Sequence, residues 1–258
     1  MLAIAFSTAL APGVAQAKTE KVTRGDVTAS FSYTPNKDRV SFKGLKLTIA
    51  RGGATALTTT LARYKGFWPA GRGQSRSIRL RDLDGDGEAE VLLDLYSGGA
   101  NCCLTTLIYR YRANANTYVP VPVQLGRFGY SLRNLDRKGP VEIVATDVRL
   151  AGAFGVPSVA AVAPIRIFQL DRDGLADATR GFPGEVRKDL RAWRKEYPSF
   201  VRQKAPLKGI LAAIAADTIL LNDEKGTARI FQRIDTLYGR EFGKRMRSFM
   251  GRRGYRLR

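Results

Sequence analysis

The segment Arg81-Asp82-Leu83-Asp84-Gly85-Asp86-Gly87-Glu88-Ala89-Glu90-Val91 holds five of the chain's 23 acidic residues within nine positions. Like charges at this density oppose folding unless a positive charge lies among them. Carboxylates at the first, third and fifth positions place three short oxygen donors on one side of a tight loop, and Gly87 at the sixth permits the sharp turn. Hard oxygen donors at this density suit Ca²⁺, which takes 6–8 oxygens at about 2.3–2.6 Å. The reading assigns side-chain ligation to Asp82, Asp84, Asp86 and Glu90, and gives Glu88 a backbone-carbonyl role. The competing reading is a solvated acidic turn.

The loop is not an EF-hand. Its twelfth position is Leu93 rather than a bidentate Glu, and the run Val91-Leu92-Leu93-Asp94-Leu95-Tyr96 that follows reads as a strand, not a helix. A fainter copy occurs 52 residues on, Asn134-Leu135-Asp136-Arg137-Lys138-Gly139-Pro140-Val141-Glu142, with Asn134, Asp136, Gly139 and Glu142 at positions one, three, six and nine. Lys138 replaces the fifth-position carboxylate and repels a cation, so this copy is expected to keep the structural unit without the metal. A third candidate, Gln169-x-Asp171-x-Asp173-Gly174 with Asp177, fits a plain hairpin turn better.

A nine-residue calcium loop running into a strand resembles the FG-GAP and VCBS repeats of integrin-type β-propellers. The resemblance rests on Asp82–Glu90 and the strand after it. It implies a structural calcium ion that stabilises a β-blade, in a secreted bacterial protein. Full propellers carry about seven blades, and the β region here is too short for that, so the resemblance implies partial, propeller-like blades.

Cys102 and Cys103 are the two cysteines. In an exported chain adjacent cysteines either close a strained vicinal ring or stay as two thiols, and the spacing leaves both open. The stretch from Gly66 to Gly73 holds Phe67, Trp68 and Pro69 near Arg72 and Arg76. It reads either as a sugar or anion contact or as a loop whose aromatics pack on the sheet. Arg24-Gly25-Asp26 reads as an ordinary turn. Between Arg240 and Arg258 lie eight basic residues, Arg240, Lys244, Arg245, Arg247, Arg252, Arg253, Arg256 and Arg258, against the single acid Glu241. Such a run either binds an anionic envelope polymer or lipid surface, in a salt-dependent manner, or forms a solvated basic face.

The elements that must carry these residues follow from periodicity. Strands are predicted at Val27–Tyr33, Leu45–Ile49, Glu90–Tyr96, Leu104–Tyr111, Tyr118–Val123, Val141–Val144 and Ile165–Leu170, where apolar and polar residues alternate or run together between turn residues. From Pro183 the spacing turns helical. Val186, Leu190, Trp193 and Tyr197 form one stripe of a helix predicted to stop at Pro198. Three more helices are expected: from about Leu207 to Leu221; around Ile230, Phe231, Ile234, Leu237 and Tyr238, with Gly239 closing it; and around Phe242, Met246, Phe249 and Met250. The fold class is therefore α+β, with a mostly antiparallel β region over 18–182 and a small basic helical domain over 183–258.

The 258 residues carry 43 Lys and Arg against 23 Asp and Glu, a net charge of +20, and no histidine. The absence of histidine excludes Ser-His-Asp and Cys-His nucleophile systems and His-ligated zinc or haem sites. No phosphate-binding glycine motif supports a nucleotide cofactor. Residues 1–17 read as a cleavable signal peptide ending in Ala15-Gln16-Ala17. The basic n-region usual in such leaders is missing, which fits a start inside a longer leader. These features point to an exported, non-enzymatic calcium-binding protein that binds or scaffolds at the cell envelope. The alternatives are a glycan hydrolase with paired carboxylates, which needs no histidine, or a polyanion binder acting through the C-terminal tail.

Overall fold

A computed structural model of the protein describes residues 16–37, 41–71, 76–99, 102–123, 125, 129–155, 162–171 and 174–258. The predicted signal peptide lies outside these residues apart from its last two positions, and so do Arg72, Asp173 and the side chains of Cys102 and Cys103.

The architecture is α+β: among the described residues thirteen strands in three antiparallel sheets precede four α-helices. The first sheet is a meander of β1 (Lys18–Arg24), β2 (Val27–Pro35), β3 (Phe42–Arg51) and β4 (Ala54–Thr60). The second orders β6 (Ile78–Arg81), β7 (Glu90–Gly99), β8 (Cys102–Arg112) and β9 (Thr117–Val121), with β5 (Trp68–Pro69) paired to the far end of β7. The third is β10 (Ser131–Arg133), β11 (Glu142–Thr146), β12 (Ile165–Asp171) and β13 (Gly174–Asp177). Each sheet thus contains a four-stranded meander, and no closed propeller is formed among the described residues. Asn36, Gly52-Gly53 and Asn116 sit at chain reversals, where Gly52, Gly53 and Asn116 supply the left-handed backbone that such turns demand. Arg24-Gly25-Asp26 spans the turn from β1 to β2.

β7 explains how the sheets stack. Val91, Leu93 and Leu95 face Phe31, Leu47 and Ile49 of the first sheet, whereas Leu92 faces Ile143, Phe168 and Leu170 of the third. A strand covered on both faces needs apolar residues at successive positions, which is why Val91-Leu92-Leu93 does not alternate. The short strands β5, β6, β10 and β13 and the mostly exposed β1 and β4 were not predicted. Their side chains give too few alternations, or too little burial, for a period to show.

The helices are α1 (Pro183–Arg202), α2 (Leu207–Leu220), α3 (Glu224–Tyr238) and α4 (Arg240–Gly251). Pro198 does not end α1, contrary to expectation; the helix runs through it to Arg202. An internal proline removes one backbone hydrogen bond, at a cost of about 3 kcal/mol. Tyr197 and Phe200 pack around Leu190, Ile210 and Ile214, and this burial on both sides of the ring holds the last turn. Leu237, expected inward, is 45% exposed, while Phe231 and Ile234 carry the buried face of α3. α2 is buried over Gly209–Ile219, flanked by α1 and α3, and its small alanines let the neighbouring helices approach. α1 is tied to the third sheet: Asp189 accepts the Ile165 N–H at 2.8 Å, and Arg133 pairs with Glu185 at 3.0 Å.

Candidate metal centre

The acidic loop is the connection from β6 to β7, closed by the Arg81–Glu90 pair of the ladder. Its carboxylates organise its own backbone. Asp82 accepts the N–H groups of Gly85 at 2.7 Å and Gly87 at 3.1 Å. Asp84 accepts from Asp86 N–H at 3.2 Å and Asp86 from Glu88 N–H at 2.8 Å. Gly85 and Gly87 both have positive φ, at 78° and 88°, where side chains with a Cβ are strained. A Cβ on Gly85 would also stand 3.4 Å from the ring of Pro140 in the second loop. Gly85→Ala is therefore expected to lower stability by roughly 1 kcal/mol, seen as a lower urea midpoint at unchanged m-value.

Asp82, Asp84 and Asp86 converge, each with one carboxylate oxygen within 4.8 Å of the others. Glu90 lies outside that trio, in the core beneath it. It has no exposed surface, one oxygen accepts the Leu83 N–H at 2.7 Å, and Oε1 has no partner among the described residues. Burial pushes its pKa up to about 8, opposed by the Leu83 N–H and reinforced by the charges of Asp84 and Asp86. Burial likewise raises Asp84, against the Asp86 N–H and the Arg110 guanidinium. The Glu88 carboxylate turns away from the trio, accepting from Tyr118 at 2.7 Å and Arg51 at 3.1 Å.

Sequence reasoning missed Arg110. It reaches from β8 to form a buried ion pair with Asp84 and donates also to the Asp171 carbonyl of β12. Two arginines, Arg110 and Arg51, thus face the five acids of the loop, leaving it with a formal surplus of three negative charges.

The second loop joins β10 to β11 and repeats the first in three dimensions. Leu135 N–H donates to Glu142 at 2.7 Å, as Leu83 does to Glu90, and Lys138 N–H donates to Asp136 at 2.8 Å, as Asp86 does to Asp84. Arg137 and Gly139 repeat the positive φ of Gly85 and Gly87. One difference separates the copies at the closing Glu. Glu142 Oε1 accepts from Gln169 at 3.0 Å, whereas Glu90 Oε1 meets no donor among the described residues. By strand register Gln169 stands where Arg110 stands in the first copy. The third candidate sequence is the β12–β13 hairpin, with Asp171 opposite Gly174 and Asp177 paired to Arg166 at 3.0 Å.

The basic tail residues are spread over α4 and the turn after it. Lys244 pairs with Glu241 at 2.8 Å and Arg247 with Asp235 at 3.0 Å, and Arg245 lies over the Phe242 ring. Arg252, Arg253 and Arg256 donate to Ser248, Phe249 and Gly251, and Arg258 to Asn222 through its backbone. Arg240 opens α4. Trp68 packs edge-on against Tyr96, and Phe67 against the first core. Among the described residues no helix is long and apolar enough to cross a membrane. The sequence matches no protein-family model and no curated protein.

Proposed function

We propose that the protein is an exported, non-enzymatic binding or scaffolding protein of the cell envelope, whose β region is stapled by a calcium ion in the manner of an FG-GAP or VCBS loop. Calcium is its cofactor, held by Asp82, Asp84 and Asp86 with Glu90 beneath them. The basic residues of the helical part, from Arg240 to Arg258, offer a face to an anionic envelope polymer or lipid surface.

The observation that carries the reading is the contrast between the two loop copies. Where Lys138 stands in place of a carboxylate, the closing Glu is satisfied by Gln169. Where three aspartates converge, Glu90 Oε1 is buried without a donor among the described residues. A buried carboxylate oxygen with no partner is costly, and a hard cation answers both it and the surplus charge of the loop. The role is structural, because the loop joins two strands of a packed sheet.

A thermal melt in millimolar calcium against one in chelator tests the proposal. A ligand at a hundred times its dissociation constant stabilises by about 2.7 kcal/mol, which appears as a rise in Tm of several degrees. Asp82→Asn should remove most of that rise. Coincident melting curves for the unmodified protein, with and without calcium, would overturn the calcium assignment.

A further inference from the structure

A second site lies away from the acidic loop. A cavity of about 570 Å³ opens where the third sheet meets the end of α2 and the turn after α4. Arg149 and Arg166 come to it from the sheet side, Arg180 from the short turn before α1, and Arg253 and Arg258 from the C-terminal segment. Two of these five are neutralised: Arg149 pairs with the buried Asp147, and Arg166 with Asp177 at 3.0 Å. The other three form no ion pair with a described carboxylate. Arg180 donates to the Leu220 carbonyl at 3.0 Å and the Arg256 carbonyl at 2.6 Å, and Arg253 donates to the Phe249 carbonyl at 3.2 Å. Against these three guanidiniums the lining offers one further acid, Asp136. The crowding is felt inside the site: burial lowers the Arg180 pKa, and the Arg258 charge lowers it further.

We infer that this cavity is a binding site for a sugar phosphate. Guanidinium groups present paired N–H donors that match a phosphate, and three of them here lack an anion. The volume exceeds that of a bare phosphate ion. The rest of the lining is suited to hydroxyl groups, since Asp136, Asp177 and Gln169 provide acceptors and donors beside the arginines. Phe182 supplies an apolar ring at the wall, and Tyr255, 6% exposed and hydrogen-bonded to Asp147 at 2.8 Å, is held in place in the lining. A ligand with one anionic end and a hydroxylated body uses both halves of this surface.

Isothermal titration of the full chain with glucose 6-phosphate, glucose and inorganic phosphate tests the site. Glucose 6-phosphate should bind with a dissociation constant below millimolar, inorganic phosphate about tenfold more weakly, and glucose not measurably. Arg253→Gln, a half-exposed position, and Arg258→Gln, at an exposed one, should each weaken glucose 6-phosphate binding about tenfold. The double variant Arg191→Gln with Lys195→Gln, at exposed positions of α1 away from the cavity, should bind as the unmodified protein does. Absence of binding at millimolar glucose 6-phosphate, equal binding of inorganic phosphate, or an equal loss in the α1 double variant would each overturn the assignment. None of these results depends on calcium, so the failure of this site and that of the metal centre are separable.

Discussion

Asp217→Asn is expected to stabilise the protein at neutral pH and to reduce the loss of stability between mildly acid and mildly alkaline solution. Asp217 sits in the middle of α2 with no exposed surface, and neither of its oxygens meets a donor among the described residues. It faces Asp189 of α1, which accepts from Ile165 N–H and, at 3.0 Å, from Trp193. Two carboxyls in contact must share a proton, and burial, joined by the Asp189 charge, raises Asp217 well above the carboxylate range. Asp189 is raised as well, by burial, against its own donors. Tyr255, with Asp147 and Arg149 behind it, also feels the Asp217 charge.

The folded chain therefore holds a proton that the unfolded chain releases above the ordinary aspartate range. The associated stability is complete below that range and is lost as pH rises toward the folded value, by up to about 1.4 kcal/mol per pH unit. An asparagine cannot ionise and can donate its amide N–H to Asp189, so the variant should lose Asp217's share of the slope. Asp147 and Asp177 act elsewhere. Burial would raise them, but Arg149 and Tyr255 at the first, and Thr179 and Arg166 at the second, outweigh it and hold them below their ordinary range, so they destabilise only in acid. Glu90 is common to both proteins and cancels in their difference. Urea titrations at several pH values from 5 to 8 measure that difference, and parallel pH profiles for the two proteins would show that Asp217 does not hold the proton.

The same residues show what could be read from the chain alone. The strong strands were legible because each buries one face and so alternates, and β7 was legible as an unbroken apolar run. Helices α1, α3 and α4 were legible from their stripes, since α1 and α3 each bury one side against α2 and α4 buries one side against α3, and α2 was legible as a continuous apolar run. The end of α1 was misplaced at Pro198 because local backbone chemistry was set against tertiary burial of Tyr197 and Phe200, which no local pattern displays. The acidic loop and its fainter copy could be found by spacing because their backbone hydrogen bonds are made within nine residues. The contacts that decide their chemistry are distant in sequence: Arg110 lies 26 residues from Asp84, and Gln169 lies 27 from Glu142. The arginine cavity draws on positions from Arg149 to Arg258, and an even scatter of arginines gives no sign of which ones converge. Asp217 reads simply as the one acidic position in an apolar helix.

Arg110→Met should have the largest effect of all, and its sign depends on calcium. In chelator, removing the guanidinium leaves Asp84 buried without its partner and the Asp171 carbonyl without its donor. Breaking a buried ion pair from one side costs roughly 3–5 kcal/mol. The pair is enclosed, with side-chain exposures of 7% and 4%, so solvent screening does not soften that figure. In saturating calcium much of the loss should return, because the variant frees an Asp84 oxygen and removes a positive charge beside the trio. Calcium should therefore bind the variant more tightly than the unmodified protein, by about tenfold or more. Paired melts and calcium titrations of both proteins decide between two ways of neutralising one loop. A loss of stability that calcium does not reverse would mean that Arg110 is itself the cation the loop requires, and that the acidic run folds around an arginine instead of a metal.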